Sequence, residues 1–431
     1  MREDWENEKL QNICYQITDI DHKMPKAKED GVAFISAKDL DNDGNIHFEN
    51  CKKISEEDFK RLSRKISPKE GDIIYSRIGT IGRASIVKVD FPFLASYSCC
   101  TIKPNTTVIE NKFLRDYLAS YSCLSQALSG VVGIGVPDLG MRQIREFSIP
   151  IPSLPEQRAI VSKIEELFSD LDKGVADLKK AQDQLKVYRQ AVLKKAFEGD
   201  LTSGVTIKTT ELENLSSQIH YGYTASSNKV PIGPHLLRIT DIQNNNVDWK
   251  NVPFCAIAED KINDYLLQKG DILFARTGAT VGKSFLIAND IPKSVFASYL
   301  IRVQLKGDVL PQFIAYFFQS PKYWIQIGAN SVGIGQPNVN GSKLKKLLIN
   351  FPESIEEQHQ IVQEIESRLS VCDKVEESIS ESLDKAEALR QSILKKAFEG
   401  NLLSTQEIEK CKTEPDYEPA AVLLEKIKMN Q

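Results

Sequence analysis

No stretch of this 431-residue chain stays apolar for the ~18–20 residues a membrane-spanning helix needs. Its charged start, Met1-Arg2-Glu3-Asp4, is no secretory leader. The eight cysteines, at 14, 51, 99, 100, 123, 255, 372 and 411, contain no Cys-x-x-Cys pair. Adjacent Cys99 and Cys100 cannot form an ordinary bridge to each other. The pattern therefore reads as scattered reduced thiols of a cytoplasmic chain, not a zinc site or a disulfide framework. His22, His47, His220, His235 and His359 have no Cys or His partner at ligand spacing, which points to surface or loop histidines and to no bound metal. No Pro-Pro pair occurs, so an amino-methyltransferase's Asn/Asp-Pro-Pro-aromatic motif is absent, and no Gly-x-Gly-x-x-Gly opens a helix. These absences exclude the common catalytic signatures and leave a chain expected to bind rather than react.

What is present is a repeat. Leu193-Lys194-Lys195-Ala196-Phe197-Glu198-Gly199 returns as Leu394-Lys395-Lys396-Ala397-Phe398-Glu399-Gly400. Glu156-Gln157 returns as Glu357-Gln358, and Ile160-Val161 as Ile361-Val362. Further upstream, Gly71-Asp72-Ile73-Ile74 with Arg77 matches Gly270-Asp271-Ile272-Leu273 with Arg276, and Ala95-Ser96-Tyr97 matches Ala297-Ser298-Tyr299. Val132-Gly133-Ile134-Gly135 with Pro137 matches Val332-Gly333-Ile334-Gly335 with Pro337. A period this long is no solenoid unit; the chain is a duplicated pair of domains. Each copy runs globular domain first, long helix second. The segments are 1–152 and 205–352 for the globular domains, 153–204 and 353–403 for the helices, and 404–431 for a tail. Between the anchors the two copies differ almost completely, the pattern expected if each reads something different; neutral drift predicts it too.

The net charge of −4 conceals a split. Segment 1–152 carries −1, segment 205–352 carries +5 and segment 353–403 carries −6. Phosphate binding needs local positive faces rather than a positive total, and the second globular domain offers one. Uneven solvated surfaces would give the same count.

From Pro155 to Glu198 there is no internal proline and one glycine, Gly174. Ile160, Ile164, Leu167, Leu171, Gly174, Leu178, Ala181, Leu185, Tyr188 and Val192 step alternately by four and three, an unbroken heptad stripe of the coiled-coil kind. Ser153 and Pro155 mark its start and Gly199 its end. The second copy reads Ile361, Ile365, Arg368, Cys372, Val375, Ile379, Ser382, Ala386, Leu389 and Ile393, a weaker stripe. An antiparallel pairing sets Leu167 near Ala386, Leu171 near Ser382, Gly174 near Ile379 and Ala181 near Cys372, with small facing large at each layer. The two helices are therefore expected to pair antiparallel as a stiff rod. The phenylalanines at their ends, Phe197 and Phe398, must bury against a partner subunit or each against its own globular domain.

The globular segments read as mixed α/β. Strand signals occur at Val32–Ile35, Asp72–Tyr75, Ala84–Val89 and Ser98–Ile102, and one helix is expected over Lys112–Ala127, with Pro311–Gln326 as its counterpart. Asp41–Asn45 and Gln243–Asn246 are turns. Asp39-x-Asp41-x-Asp43-Gly44-x-Ile46 imitates the first eight positions of a calcium loop, but Asn50 stands where the bidentate Glu belongs, so a hairpin turn is expected. Gly278–Ser284 imitates a phosphate loop with one residue too few between its glycines. Ala420–Met429, behind a Pro-containing linker, is a possible amphipathic tail that either docks on the first domain or stays free.

Taken together, the paired Gly-Asp-Ile strands leading to Arg-x-Gly, the Val-Gly-Ile-Gly loops and the Pro…Glu-Gln…Ile-Val helices ending Leu-Lys-Lys-Ala-Phe-Glu-Gly resemble the specificity subunit of type I restriction-modification systems, up to Leu403. The resemblance implies an α+β fold with two globular target-recognition domains and two long helices forming an antiparallel coiled coil. It implies that each domain reads one half of an interrupted double-stranded DNA site, and that the helix pair sets the gap. The chain itself would be non-catalytic and bind no cofactor. DNA adenine methyltransferase subunits using S-adenosylmethionine would dock on it, and restriction/translocase subunits using ATP and Mg would join them.

Base edges are read by Arg, Lys, Asn, Gln, Ser and Thr, and phosphates by the same side chains and by backbone amides. The DNA-reading residues expected in the first domain are Lys38, Arg77, Thr80, Arg83, Ser96, Tyr97, Ser98 and Arg142. In the second they are Arg238, Thr240, Arg276, Thr277, Lys283, Ser298, Tyr299, Gln336, Asn338 and Lys343. Arg77 and Arg276 could instead pair with Asp72 and Asp271, and Tyr97 and Tyr299 could be core. Two other readings stay open at this level: a stand-alone DNA-binding protein or nuclease, for which Glu259-Asp260-Lys261 is the nearest carboxylate-lysine cluster, and a coiled-coil scaffold without a DNA role.

Overall fold

The computed structural model describes residues 2–131, 135–202, 206–243, 245–276, 281–329 and 339–429. They form two compact units. The first contains Met1–Asp177 and Glu381–Gln431, the second Leu178–Ser380, so each unit takes one globular domain and half of each long helix.

In the first unit, strands Cys14–Thr18, Cys99–Pro104, Ile73–Ser76 and Ala84–Ile86 lie side by side in that order, all antiparallel. Ile73–Ser76 is buried at every position, as a strand covered on both faces must be. A second sheet sets Val32–Ile35 antiparallel to Lys52–Ile54 and parallel to Phe93–Ala95. Glu6–Lys9 pairs with Ser148–Ile151 just before the long helix begins. The helix expected over Lys112–Ala127 is two helices, Asn111–Leu118 and Tyr121–Ser129. The break lies at Ser120, whose hydroxyl caps the second helix by accepting from Cys123 N. A hydrophobic period continues across such a cap, which is why spacing alone merged the two.

The second unit repeats the plan. Its four-stranded sheet runs Ser216–Tyr221, Leu300–Leu305, Ile272–Ala275, Ser284–Leu286, with a bulge at Ser216/Gln218 that mirrors the one at Cys14/Gln16. Ile207–Glu211 pairs with Leu348–Pro352, and Pro311–Phe317 and Pro321–Ala329 replace the single helix expected there.

The first long helix is Leu154–Glu198 and the second Ile355–Phe398. Gly199 and Gly400 follow them with φ of +86° and +79°, the left-handed turn that glycine adopts without strain. Inside the first unit Ile160 and Ile164 share a core with Ile393, Leu394, Ala397 and Phe398, while Asp172 meets Arg390. Inside the second, Leu193 and Phe197 share a core with Ile361 and Ile365, while Arg189 meets Asp373. In both units the helices run antiparallel. The register differs from the layer matching read in the sequence: Asp172 would then stand near residue 381, and instead reaches Arg390 about two and a half turns further along. On the first helix the stripe is thinly buried: Gly174 is exposed and Leu171 and Leu178 are half-buried, while on the second Cys372 and Ile379 are buried and Leu389 is 50% exposed, so the expected layers do not close as matched pairs. Ion pairs and the buried helix ends fix it instead.

Phe197 and Phe398 are both buried, and each lies in the globular domain of the opposite copy. Phe398 closes the second copy but packs edge-on against Phe113 and Tyr117, with ring centroids 5.3 and 5.1 Å away. Phe197 closes the first copy but packs against Phe313 and Phe317 at 5.1 and 5.3 Å. Neither is left for a partner subunit, and neither packs on its own copy's domain, the other expectation from the sequence. The tail also docks. Thr405–Lys412 and Ala420–Met429 are helices, Leu423 and Leu424 enter the first unit's core, and Arg158 Nη2 grips Asp416 at 2.7 and 2.8 Å. All eight cysteines are free. Among the described residues no helix is long and apolar enough to cross a membrane.

Candidate nucleic-acid interface

Four loops converge at one edge of each globular domain. In the first they are the turn after Ile35, the turn after Ser76, the Ser96–Ser98 corner and the segment before Met141. The backbone ties them together: Ser96 N donates to Ile35 O at 2.7 Å, Arg77 N to Ser98 O at 2.9 Å, Gly79 N to Pro137 O at 2.9 Å and Leu139 N to Arg77 O at 2.9 Å. In the second domain Ala297 N donates to Leu237 O at 2.9 Å, Arg276 N to Tyr299 O at 3.2 Å and Val339 N to Arg276 O at 3.1 Å. The same scaffold thus gathers sequence-distant loops twice, which is how a rigid core presents variable contact residues.

At the tips, Lys38, Thr80 and Arg142 are exposed in the first domain, and Thr240, Lys283, Tyr299 and Lys343 in the second. Gly79 and Gly82 adopt φ of +77° and +97°, turning the chain tightly enough to push Thr80 outward. Tyr299 is 64% exposed, whereas its counterpart Tyr97 is half-buried and stacked on His22 with centroids 4.9 Å apart. Ser98 and Ser298 are half-buried. Thr277, Gln336, Asn338, the Gly133-Ile134 and Gly333–Gly335 loops and Gly278–Thr280 lie outside the described residues.

Several expected readers are framework instead. Arg77 is 3% exposed; it donates to Asp19 at 2.9 Å, Asp138 at 2.7 Å and Leu139 O at 3.1 Å. A guanidinium so engaged knits three loops and has no fork left for a base. Burial alone would raise the Asp19 pKa, but hydrogen bonds from Arg77, Lys65 and His22 outweigh it and hold the carboxylate below its ordinary value. At the equivalent place of the second domain Arg276 stacks on the Tyr221 ring at 4.8 Å. The two arginines thus share a position in the fold while their partners differ, a carboxylate in one copy and an aromatic face in the other. Neither pairs with Asp72 or Asp271, which bond to Lys103 and Arg302.

Arg238 forks onto Asp241 at 2.7 and 3.0 Å, closing its own turn. The matching turn is closed by Ser36, whose N and Oγ both donate to Asp39 Oδ2 at 2.8 and 2.9 Å. That contact occupies the first carboxylate of the calcium-like loop, and Asp41 is held by Asn45 and His47 in a turn with Leu40 facing Ile46. Ser96 is buried and bonded to Ser98 at 2.8 Å. Arg83 is half-buried, donating to Asn42 at 3.0 Å and Leu40 O at 2.6 Å. These residues shape the loops that Lys38, Thr80, Thr240 and Lys283 decorate. The sequence could not separate the two groups, because buried and exposed polar residues alternate within the same short loops.

Two glutamines of the repeated Glu-Gln pair are fully buried. Gln157 accepts from Glu110 N at 2.8 Å and donates to Val108 O and Pro152 O at 3.0 Å each. Gln358 accepts from Leu310 N at 2.7 Å and donates to Asp308 O and Pro352 O at 3.1 and 3.3 Å. Both begin a long helix and lock it to a globular domain; their signal was their place in the repeated Glu-Gln pair.

A duplicated α+β domain that presents variable polar loops on a fixed frame, joined to an antiparallel helix pair, defines a class of sequence-reading scaffold. Residues 2–180 and 236–385 match the family described as the type I restriction modification DNA specificity domain, and the chain belongs to that family. It is 28% identical over 381 residues to the specificity subunit of the type I restriction enzyme EcoKI from Escherichia coli K12, covering 85% of this chain and 82% of that one. It is 25% identical over 381 residues to the StySPI specificity subunit of Salmonella potsdam, with the same coverage. Two solved structures share the fold. A chain from a study of complex assembly and conformational transition in a type I R-M system superposes with TM-score 0.72 at 18% identity, over 93% of this chain and 99% of that one. The HsdS subunit of Thermoanaerobacter tengcongensis superposes with TM-score 0.55 at 19% identity, over 93% and 98%.

Proposed function

We propose that this chain is the non-catalytic DNA-reading subunit of a type I restriction-modification complex, in which each globular domain reads one half of a bipartite double-stranded site. The observation that carries the reading is the duplicated loop cluster: one frame, built twice, with different side chains at its tips. Lys38, Thr80 and Arg142 are the contact residues of the first half, and Thr240, Lys283, Tyr299 and Lys343 those of the second. Tip lysines and arginines hold phosphates or guanine edges, and threonines and the exposed tyrosine add groove contacts.

In this reading the long helices set the number of base pairs between the halves and dock DNA adenine methyltransferase subunits. Restriction/translocase subunits join the same assembly. S-adenosylmethionine, ATP and Mg belong to those partners, in the cytoplasm. The test is a swap. Replacing residues 1–152 with the corresponding segment of another family member should change one half of the methylated motif and leave the other intact, read by sequencing methylated adenines in the host genome. A motif unchanged in both halves would overturn the reading.

A further inference from the structure

The geometry points to a binding site for an alkylammonium group in the cavity that the first unit encloses between its globular domain and its two long helices, with Asp116 and Gln391 as the acceptors. The cavity holds about 770 Å³ and is open to solvent on one side. Its walls are the 80–84 turn, the helix carrying Asp116, the first long helix from Ile164 to Ala176 and the second from Glu387 to Leu394.

Asp116 is 2% exposed, and only one of its oxygens is engaged, by Arg115 Nη2 at 3.0 Å. Its Oδ2 has no partner, and neither has Gln391 Oε1. Buried polar atoms are almost always paired, so two orphan acceptors lining one cavity mark a missing donor. What they lack is N–H or O–H, which excludes an anion. Ile81, Leu124, Ile164, Phe168 and Leu394 form an apolar part of a lining that also carries Glu165, Asp172 and Glu387, which suits a methylene chain behind a cationic head. The nearby cations are already committed: Arg390 to Asp172 and the Phe168 ring, Arg83 to Asn42 and Leu40 O, Lys173 to Asp170 and Lys112 to Glu165.

The second copy shows that the scaffold does not require a buried acid here. Its helix Pro311–Phe317 packs on Phe197 as Asn111–Leu118 packs on Phe398, and that alignment puts Tyr316 where Asp116 stands. Tyr316 lies near Glu366, the repeat mate of Glu165, and is raised in pKa mainly by burial. The second copy has no carboxylate at this position. Burial pushes the Asp116 pKa up to about 6; Arg115 opposes the rise, Glu165 adds to it and Lys112 opposes it. A bound ammonium would favour the charged form, so affinity should fall as pH drops below that value.

An alkylammonium can arrive as a free polyamine or as a lysine side chain of a partner chain, and two arms separate these sources. The first is calorimetric titration of the full chain with spermidine. Binding is expected to weaken about tenfold in Asp116→Asn and in Ala176→Phe, which plugs the cavity from an exposed helix position. It should stay unchanged in the charge-matched surface control Asp21→Asn, and weaken in wild type from about pH 7.5 to about pH 5. The second arm measures capture of the methyltransferase subunit by the same chains. Loss of spermidine affinity in both cavity variants supports the free amine. Loss of subunit capture in both, with spermidine unaffected, supports a partner lysine. Equal behaviour of all variants in both arms overturns the site and leaves the orphan oxygens to water. Ala176→Phe keeps the test decisive if Asp116→Asn does not fold.

Discussion

Arg189 donates to Asp373 at 2.6 Å, and Arg390 donates to Asp172. Arg390 is the repeat mate of Arg189, and Asp373 that of Asp172, so one ion pair is built twice by the duplication, once in each unit. Each pair ties the first long helix to the second where the apolar layers are thin. Exposed pairs of this kind contribute about 0.2–1 kcal/mol, but Arg390 is only 17% exposed and also covers the Phe168 ring at 4.5 Å. Arg390→Ala should therefore cost about 1–2 kcal/mol in urea unfolding, more than Asp172→Ala. The exchange Arg390→Asp with Asp172→Arg should recover part of the loss, read as a double-mutant coupling.

The buried glutamines anchor the helix starts. Gln157→Leu removes three hydrogen bonds and strands Glu110 N, Val108 O and Pro152 O in a dry place. Leaving buried polar groups unpaired costs about 1–3 kcal/mol each in isolation, and local relaxation recovers some. We expect a loss of about 2–4 kcal/mol, matched by Gln358→Leu in the other unit, measured by chemical unfolding.

Phe398→Ala leaves a hole between Phe113 and Tyr117, and Phe197→Ala one between Phe313 and Phe317. Each should cost about 3–5 kcal/mol, since the surrounding rings collapse only partly. Limited proteolysis should then release the end of the affected long helix, before Gly400 in one variant and before Gly199 in the other.

The pH response of the first unit should carry an unusual component. Asp116 has a folded pKa near 6, above the 3.8 of an unfolded aspartate, so between those values the folded form takes up a proton that the unfolded form does not. Its contribution to stability therefore grows as pH falls through 6 toward 4, by up to roughly 3 kcal/mol. Asp19, whose pKa is depressed, works in the opposite direction and is lost only at lower pH, as it protonates. Melting temperatures from pH 7 to pH 4.5 should flatten for Asp116→Asn relative to wild type; an identical profile in the two proteins would contradict the assignment.

The framework and tip residues should separate cleanly in DNA binding. Lys38→Ala, Arg142→Ala and Lys283→Ala should leave unfolding unchanged and each reduce the salt dependence of affinity by about one counterion. Arg77→Ala should instead cost about 3–5 kcal/mol of stability, because it leaves Asp19 buried without its main partner. Its effect on DNA binding should follow the unfolding.

The sequence by itself determined the duplication, the order of domain and helix, the α+β class, the helix limits at Leu154, Glu198 and Phe398 to within a residue or two, and the family. All of these rest on local signals: heptad spacing, caps, and motifs whose residues sit close together in the chain. Tertiary structure decided what depends on distant residues meeting. It placed Phe197 and Phe398 in the opposite copies' domains and set the helix register through Arg189 and Arg390. It turned Arg77, Arg238 and Ser96 from expected readers into framework, and left Asp116 with an oxygen unclaimed. Residue type alone is the same for an arginine that stands in solvent and one that braces, and only the three-dimensional surroundings, a carboxylate at 2.9 Å or open water, tell them apart.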